Sequence, residues 1–251
     1  MTETRTAPRF STEELARLLG LLEGADSVEL KLTVPDGDQR SAVRALHIDP
    51  LDAQLSQVFF LDTSDLLLNA RGVILRARRT KVGDDSVVKL RPVVPQELPD
   101  SLRARRGFGV EVDAMPGGFV CSGRLKSSLR PGKVKEAVYG DRAVRSLFNK
   151  GQRAFLAEHA PEGIGIEDLS VLGPITVLKL KFRPPGYDRR LVAELWTYPD
   201  GSRILELSTK CAPAEAFQVA AETRVYLEER GIDLSGEQAT KTRTALEFFS
   251  R

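Results

Sequence analysis

The residues best equipped for chemistry in this chain are charged and recur at intervals of two. Arg76 and Arg78, Lys89 and Arg91, and Lys179, Lys181 and Arg183 form three basic sets, and Lys31 follows Glu29 in the same rhythm. Glu111 with Asp113, then Glu194 and Glu206, supply carboxylates from other segments. In an extended chain successive side chains point to opposite faces, so residues two apart share a face. Each set therefore presents its charges on one side of its strand, while Leu30, Leu75, Val88, Val110, Leu180 and Leu207 lie on the other. The three basic sets carry no acid at the same spacing, whereas a solvent face ordinarily mixes both signs. At an effective dielectric constant of ~20 and a separation of ~6 Å, each like-charge pair costs about 3 kcal/mol. An anion relieves such crowding, and a string of phosphoryl groups has the charge and length to do so. Carboxylates alongside suit Mg²⁺, which commonly takes one or two of them together with phosphate oxygens.

These side chains must be positioned by strands. Period-two alternation bounded by turn residues predicts strands at 28–32, 42–48, 58–61, 73–80, 86–93, 108–113, 175–183, 191–198 and 203–209, with a weaker one at 119–122. Val82-Gly83-Asp84-Asp85 and Pro199-Asp200-Gly201 read as the turns of two hairpins, which makes the pairing antiparallel. Helical periodicity covers 11–23, where Ser11 and Glu14 offer a capping box and Leu15, Leu18, Leu19 and Leu22 make a stripe. It recurs at 141–159, 213–229 and about 237–249, and the stretches 92–99 and 116–140 read as loops.

Composition narrows the function classes. Thirty-seven Lys and Arg against 35 Asp and Glu among 251 residues leave a net charge of +2, so the chain lacks the overall basic bias of a dedicated DNA binder. A 41% hydrophobic share is that of a folded domain. No apolar run approaches the ~18 residues of a membrane span and no signal core opens the chain, which points to a cytoplasmic protein that engages no membrane. Cys121 and Cys211 stand far apart with only His47 and His159 as further soft ligands, so neither a disulfide framework nor a zinc site is expected. Glycine-rich phosphate loops, H-E-x-x-H and G-x-S-x-G are absent.

Two arrangements satisfy the alternation. One is an open antiparallel sheet with its apolar face on the helices and its charged face in water. The other is a closed barrel with the charges inside and helices on the apolar outside; eight strands enclose room for side chains or a small ligand.

The residues also resemble a known family, the CYTH domain of the triphosphate tunnel metalloenzymes. Ser27-Val28-Glu29-Leu30-Lys31 is similar to its opening E-x-E-x-K strand with the first Glu replaced. Residues 58–65, then Gly72 and Leu75-Arg76-Ala77-Arg78, resemble its aromatic-x-D-T-x-D stretch, glycine turn and L-R-x-R. Val88-Lys89-Leu90-Arg91, residues 178–183 and Ile204-Leu205-Glu206-Leu207-Ser208 are similar to later tunnel strands, and Thr240-Lys241-Thr242 to a helical S-K-S/T element. The likeness runs from about Ser27 to Leu246.

The resemblance implies an α+β fold, an eight-stranded antiparallel β-barrel or tunnel with helices packed outside. Residues 26–251 would form it and residues 1–25 a helical extension. It implies Mg²⁺ or Mn²⁺ as cofactor and a triphosphate or polyphosphate small molecule as partner, with a homodimer as an open option. Phosphates would meet Lys31, Arg76, Arg78, Lys89, Arg91, Lys179, Lys181 and Arg183; metal would meet Glu29 and Glu206, with Glu111, Asp113 and Glu194 as further candidates for metal or for orienting bases. Lys31 and Glu206 would be catalytic. Family activities include hydrolysis of inorganic tripolyphosphate, of thiamine or nucleoside triphosphates and of RNA 5′-triphosphates, and cyclic AMP formation; a polyphosphate-binding module without catalysis is a further reading. Ser27 and Ser208 stand where family members often carry Glu, and a hydroxyl is a poorer ligand for a hard cation. One metal on Glu29 and Glu206 is then expected to persist, and a second to be weakened.

Overall fold

The computed structural model describes residues 11–234, 238 and 241–250. Nine strands, β1 (Ser27–Val34), β2 (Gln54–Asp62), β3 (Val73–Thr80), β4 (Asp84–Leu90), β5 (Phe108–Met115), β6 (Gly118–Leu129), β7 (Ser170–Phe182), β8 (Leu191–Thr197) and β9 (Arg203–Cys211), close into one barrel. Their order around it is β1-β5-β6-β4-β3-β2-β7-β8-β9. The helices are α1 (Thr12–Glu23), α2 (Gln39–Ala45), α3 (Leu67–Ala70), α4 (Asp100–Arg103), α5 (Lys133–Tyr139), α6 (Lys150–His159), α7 (Ala216–Glu228) and α8 (Lys241–Phe249). The barrel is mixed and nine-stranded, where the sequence suggested eight antiparallel strands. Parity explains the mixture: an odd number of strands cannot alternate direction around a closed ring, so one neighbouring pair must run parallel. That pair is β1 and β5, which sets Ser27 opposite Glu111 and Glu29 opposite Asp113.

The alternation is satisfied by charges inside and apolar residues outside. The outer face is covered in three places. Leu75, Ala77 and Val88 pack under Val134 of α5 and Phe155 of α6. Leu32, Leu205 and Leu207 pack against Leu46, just past α2, and Leu227 of α7. Val28, Val110 and Val112 pack beneath Leu18, Leu21 and Leu22 of α1. Each fully buried aliphatic or aromatic side chain contributes about 1.5–3 kcal/mol, so these patches hold the barrel closed around its polar interior.

A fourth apolar cluster lies inside. Val58, Phe60, Ile74, Ile175, Val177 and Trp196 share it with Ala245 and Leu246 of α8. Phe60 is opposite Arg76 and Val58 opposite Arg78, which places these apolar residues on the same inward face as the charges. The last helix therefore enters one end of the barrel, correcting the expectation that all helices pack outside. The interior is a cup with an apolar floor and a charged wall.

Several local expectations change. Residues 42–48, expected as a strand, belong largely to α2, because Ala42 and Leu46 are buried at helical spacing while Arg40 and Ser41 face water. Residues 116–140, expected as loops, contain β6 and α5. The helix expected over 141–159 begins only at Lys150, after an Asn149–Gln152 capping box. In α1 the Ser11–Glu14 capping box is present, but Leu21 joins Leu18 and Leu22 in the core while Leu15 and Leu19 are exposed. Residues 1–10 of the expected extension, and Thr240 with the start of the last helix as expected, lie outside the described residues.

Candidate active site

Strand register assembles the interior. Residues directly opposite in a ladder share a face, so Lys89 of β4 brings Arg124 of β6 inward, and Arg78 of β3 brings Asp85 of β4. Bases that were segregated strand by strand in the sequence thus meet acids from their neighbours. Lys31 lies 3.0 Å from Asp113 and 3.2 Å from Glu29. Lys89 reaches the other Asp113 oxygen at 3.2 Å. Arg78 Nε donates to Asp85 at 2.9 Å, with Arg76 at 3.6 Å and Lys126 at 4.0 Å from the same carboxylate. Lys179 donates to Glu194 at 2.6 Å, and Lys241 of α8 bonds Glu194 and lies 2.7 Å from Glu206.

Burial of these charges runs as a gradient. Lys210 and Lys126 near the mouth are 48% and 42% exposed, whereas Lys241 at the floor is 12% and Asp113 in the wall only 3% exposed. Burial holds the Arg76, Lys89 and Arg91 cations below their ordinary values, more strongly than their carboxylate neighbours raise them. Lys31 differs: burial opposes its charge, but Asp113, Glu29 and Glu206 together raise it well above the ordinary range. Burial likewise disfavours the Asp113 carboxylate, and Lys31 and Lys89 overcome it and hold the group far below normal. Glu206 is pushed up by burial beyond what Lys241 and Lys31 offset.

Three carboxylates converge without Glu206. Oxygens of Glu29, Glu111 and Asp113 lie within 4.8 Å of one another. The parallel β1–β5 pair creates this group by placing Glu29 opposite Asp113. Glu206 sits on the strand next to β1, but it is opposite Thr33, whereas Glu29 is opposite Lys210. It faces Glu194 instead, directly across the β8–β9 ladder. All three converging groups are hard oxygen donors, and Asp113 Oδ1, although close to Lys31, makes no hydrogen bond. The set could hold a hard divalent metal ion.

Of the remaining residues anticipated, Lys181 is on the inward row of β7, opposite Val192, but exposed at the rim. Arg183 lies beyond the end of β7, exposed. Neither enters an ion pair among the described residues. Asp62 and Thr63, part of the motif resemblance, are structural: Asp62 accepts the backbone N–H groups of Leu68 at 2.9 Å and Asn69 at 3.0 Å, and Thr63 Oγ1 that of Leu67. They shape the turn into β3. Trp196 packs in the floor, its Nε1 donating to Glu194 at 3.1 Å.

The sequence pattern does not mark Asp85, Arg124, Lys126 and Lys210 as site residues, and Lys241 enters it only within the Thr240-Lys241-Thr242 element. Asp85 reads as part of the Val82-Gly83-Asp84-Asp85 turn, whereas it belongs to β4. Arg124 and Lys126 alternate in β6 with Gly123, Leu125 and Ser127, too small and polar a partner row to announce a strand. The signal available was their period of two, shared with Ser122 and Ser128.

No protein-family model matches the sequence, and no curated protein matches it significantly. Solved structures do. A candidate adenylyl cyclase from Hippeastrum, described as having a dominant triphosphatase activity, superposes with a TM-score of 0.65 at 18% identity, covering 88% of this chain and 95% of that one. A candidate adenylate cyclase from Bacillus halodurans superposes with a TM-score of 0.58 at 16% identity, covering 87% and 98%. Together with the closed barrel, these likenesses give the chain the fold of those structures, a CYTH-type barrel.

Proposed function

We propose that the protein is a divalent-metal-dependent phosphohydrolase that takes a triphosphate-bearing small molecule into the barrel. The observation that carries the reading is a set of buried donors without acceptors. The Nε–H groups of Arg76, Arg91 and Arg124 have no hydrogen-bond partner although each is shielded from solvent. An unsatisfied buried donor costs about 1–3 kcal/mol, more when charged, and phosphate oxygens supply what is missing. The lowered values of Arg76, Lys89 and Arg91 have the same meaning, since their desolvation exceeds the compensation given by carboxylates.

Glu29, Glu111 and Asp113 would hold Mg²⁺ or Mn²⁺, whose chemistry is to polarise phosphate oxygens and lower the pKa of a bound water. Lys31, charged at any physiological pH and adjacent to two of these carboxylates, would meet phosphoryl oxygens beside them. Arg76, Arg78, Arg124 and Lys126 would take the charge that develops on the transferred group, and Lys89 and Arg91 would fix the phosphate chain for in-line attack. Asp85 and Asp113 would keep these bases oriented between turnovers. Lys179 would add a cation near the floor, with Lys181 and Arg183 available at the rim to an entering polyanion.

The test is phosphate release from tripolyphosphate, ATP and thiamine triphosphate in Mg²⁺ or Mn²⁺. Orthophosphate from any of the three supports the reading. Cyclic nucleotide with pyrophosphate from ATP replaces it with a cyclase; tripolyphosphate binding without turnover replaces it with a binding module. Absence of both binding and turnover overturns it.

A further inference from the structure

Glu194 and Glu206 stand directly opposite each other on β8 and β9, and both side chains point into the barrel. Like charges in that relation destabilise a ladder unless a cation lies between them. Here the cation is part of the chain. Lys241 Nζ is 2.7 Å from Glu206 Oε1 and also bonds Glu194 Oε2. The same ammonium lies 5.1 Å over the Trp196 ring, and its own backbone carbonyl accepts the Tyr198 hydroxyl at 3.2 Å. About one turn of helix beyond it, Ala245 and Leu246 are buried in the floor, so the lysine is delivered by a docked element rather than by a free side chain.

We propose that the Lys241 ammonium is a built-in counter-cation for the Glu194–Glu206 pair, so that the barrel floor takes no divalent metal. The inference builds on the reading that Glu29, Glu111 and Asp113 hold the protein's metal, and it assigns the chain one metal where two clusters of acid are present. Its physical content is exclusion. Glu194 already receives Lys179, Trp196 and Lys241, and a divalent ion entering the pair would meet a positive charge at bonding distance from both carboxylates, with only those two carboxylates to hold it. Lys31 stands between Glu29 and Asp113 in the same way, but there Glu111 adds a third carboxylate whose own partner, Lys210, is 48% exposed, so an ion gains a three-carboxylate donor set in exchange. Removing that charge leaves two adjacent, poorly solvated carboxylates, an all-oxygen set to which a hard divalent cation is the natural complement.

The experiment is a count of Mn²⁺ bound per chain, by titration calorimetry and by the electron paramagnetic resonance of free Mn²⁺, on the full chain without phosphate. Wild type is expected to bind one ion, Lys241→Met two, and Lys241→Arg one because the cation is retained. In Lys241→Met the second ion should bind at least tenfold more tightly than any weak second ion of the wild type, and adding Glu206→Gln should abolish it. Glu206→Gln alone should leave the count at one. A folded Lys241→Met with an unchanged count overturns the proposal, as does a wild type that binds two ions and loses one on Glu206→Gln. Should Lys241→Met not fold, the Glu206→Gln count decides: unchanged supports the proposal and a lost ion overturns it. A wild type that binds no Mn²⁺ refutes the metal reading of Glu29, Glu111 and Asp113, and a gain from none to one in Lys241→Met would still support the role of Lys241.

Discussion

Asp113→Asn is the sharpest perturbation of the charged wall, since the amide keeps the shape of the side chain and removes its charge. Asp113 is 3% exposed and stands between Lys31 at 3.0 Å and Lys89 at 3.2 Å. At an effective dielectric constant of ~20, an ion pair at ~3 Å has a Coulomb energy of about 5 kcal/mol, most of it offset by desolvation. Deleting one member of a buried pair leaves the other charges uncompensated and typically costs about 3–5 kcal/mol. At roughly 2–4 °C per kcal/mol for a chain of this size, Tm should fall by about 6–20 °C. The pH dependence carries a second signature. The folded Asp113 carboxyl lies far below its unfolded value, so its contribution is fully present above about pH 5 and is lost as pH falls through the folded value. The difference in stability between wild type and Asp113→Asn, from urea unfolding, should therefore be constant from pH 5 to 8 and shrink below about pH 4. Tripolyphosphate should raise the Tm of the variant more than that of the wild type, because it returns negative charge to Lys31 and Lys89. A variant within about 1 kcal/mol of wild type at pH 7, with no pH-dependent difference, would refute the argument that the wall is a buried, mutually compensated charge network.

Two further substitutions probe the site and its frame. Arg124→Ala removes a guanidinium that is 34% exposed and only loosely held, 3.8 Å from Glu111. It should weaken tripolyphosphate binding by about 10- to 100-fold, the ~1.5–3 kcal/mol of a charged hydrogen bond, and barely change Tm; unaltered affinity by calorimetry would remove Arg124 from the phosphate set. Gly72→Ala places a Cβ 1.9 Å from the Arg91 carbonyl oxygen at a φ of +74°. Backbone strain of about 1–2 kcal/mol and the forced shift of Arg91 should lower Tm and loosen tripolyphosphate binding together, whereas a full-affinity, fully stable variant would disprove the close approach.

The sequence by itself determined which face of each strand is charged. Alternation at Arg76 and Arg78, at Lys89 and Arg91, and at Glu111 and Asp113 is a local property, because the pleat dictates it wherever the strand ends up. The two hairpin turns and the capping box of α1 were legible for the same reason, each being decided by a few adjacent residues. Where the local pattern was diluted, reading failed: β6 hides its strand because Gly123 and Ser127 occupy the row that ordinarily signals an apolar face.

What only the tertiary structure decided is who faces whom. Strand number and parity produced the parallel β1–β5 pair, and that pair, not proximity in sequence, gathers Glu29 and Asp113 with Glu111. The same closure put Glu206 with Glu194 and brought Lys241, from a helix more than thirty residues downstream of Glu206, into the space between them. Such partnerships depend on register and on the docking of α8, both of which are settled by packing the whole barrel at once. A two-residue period fixes the side a charge points to; it holds no information about the charge it will meet there.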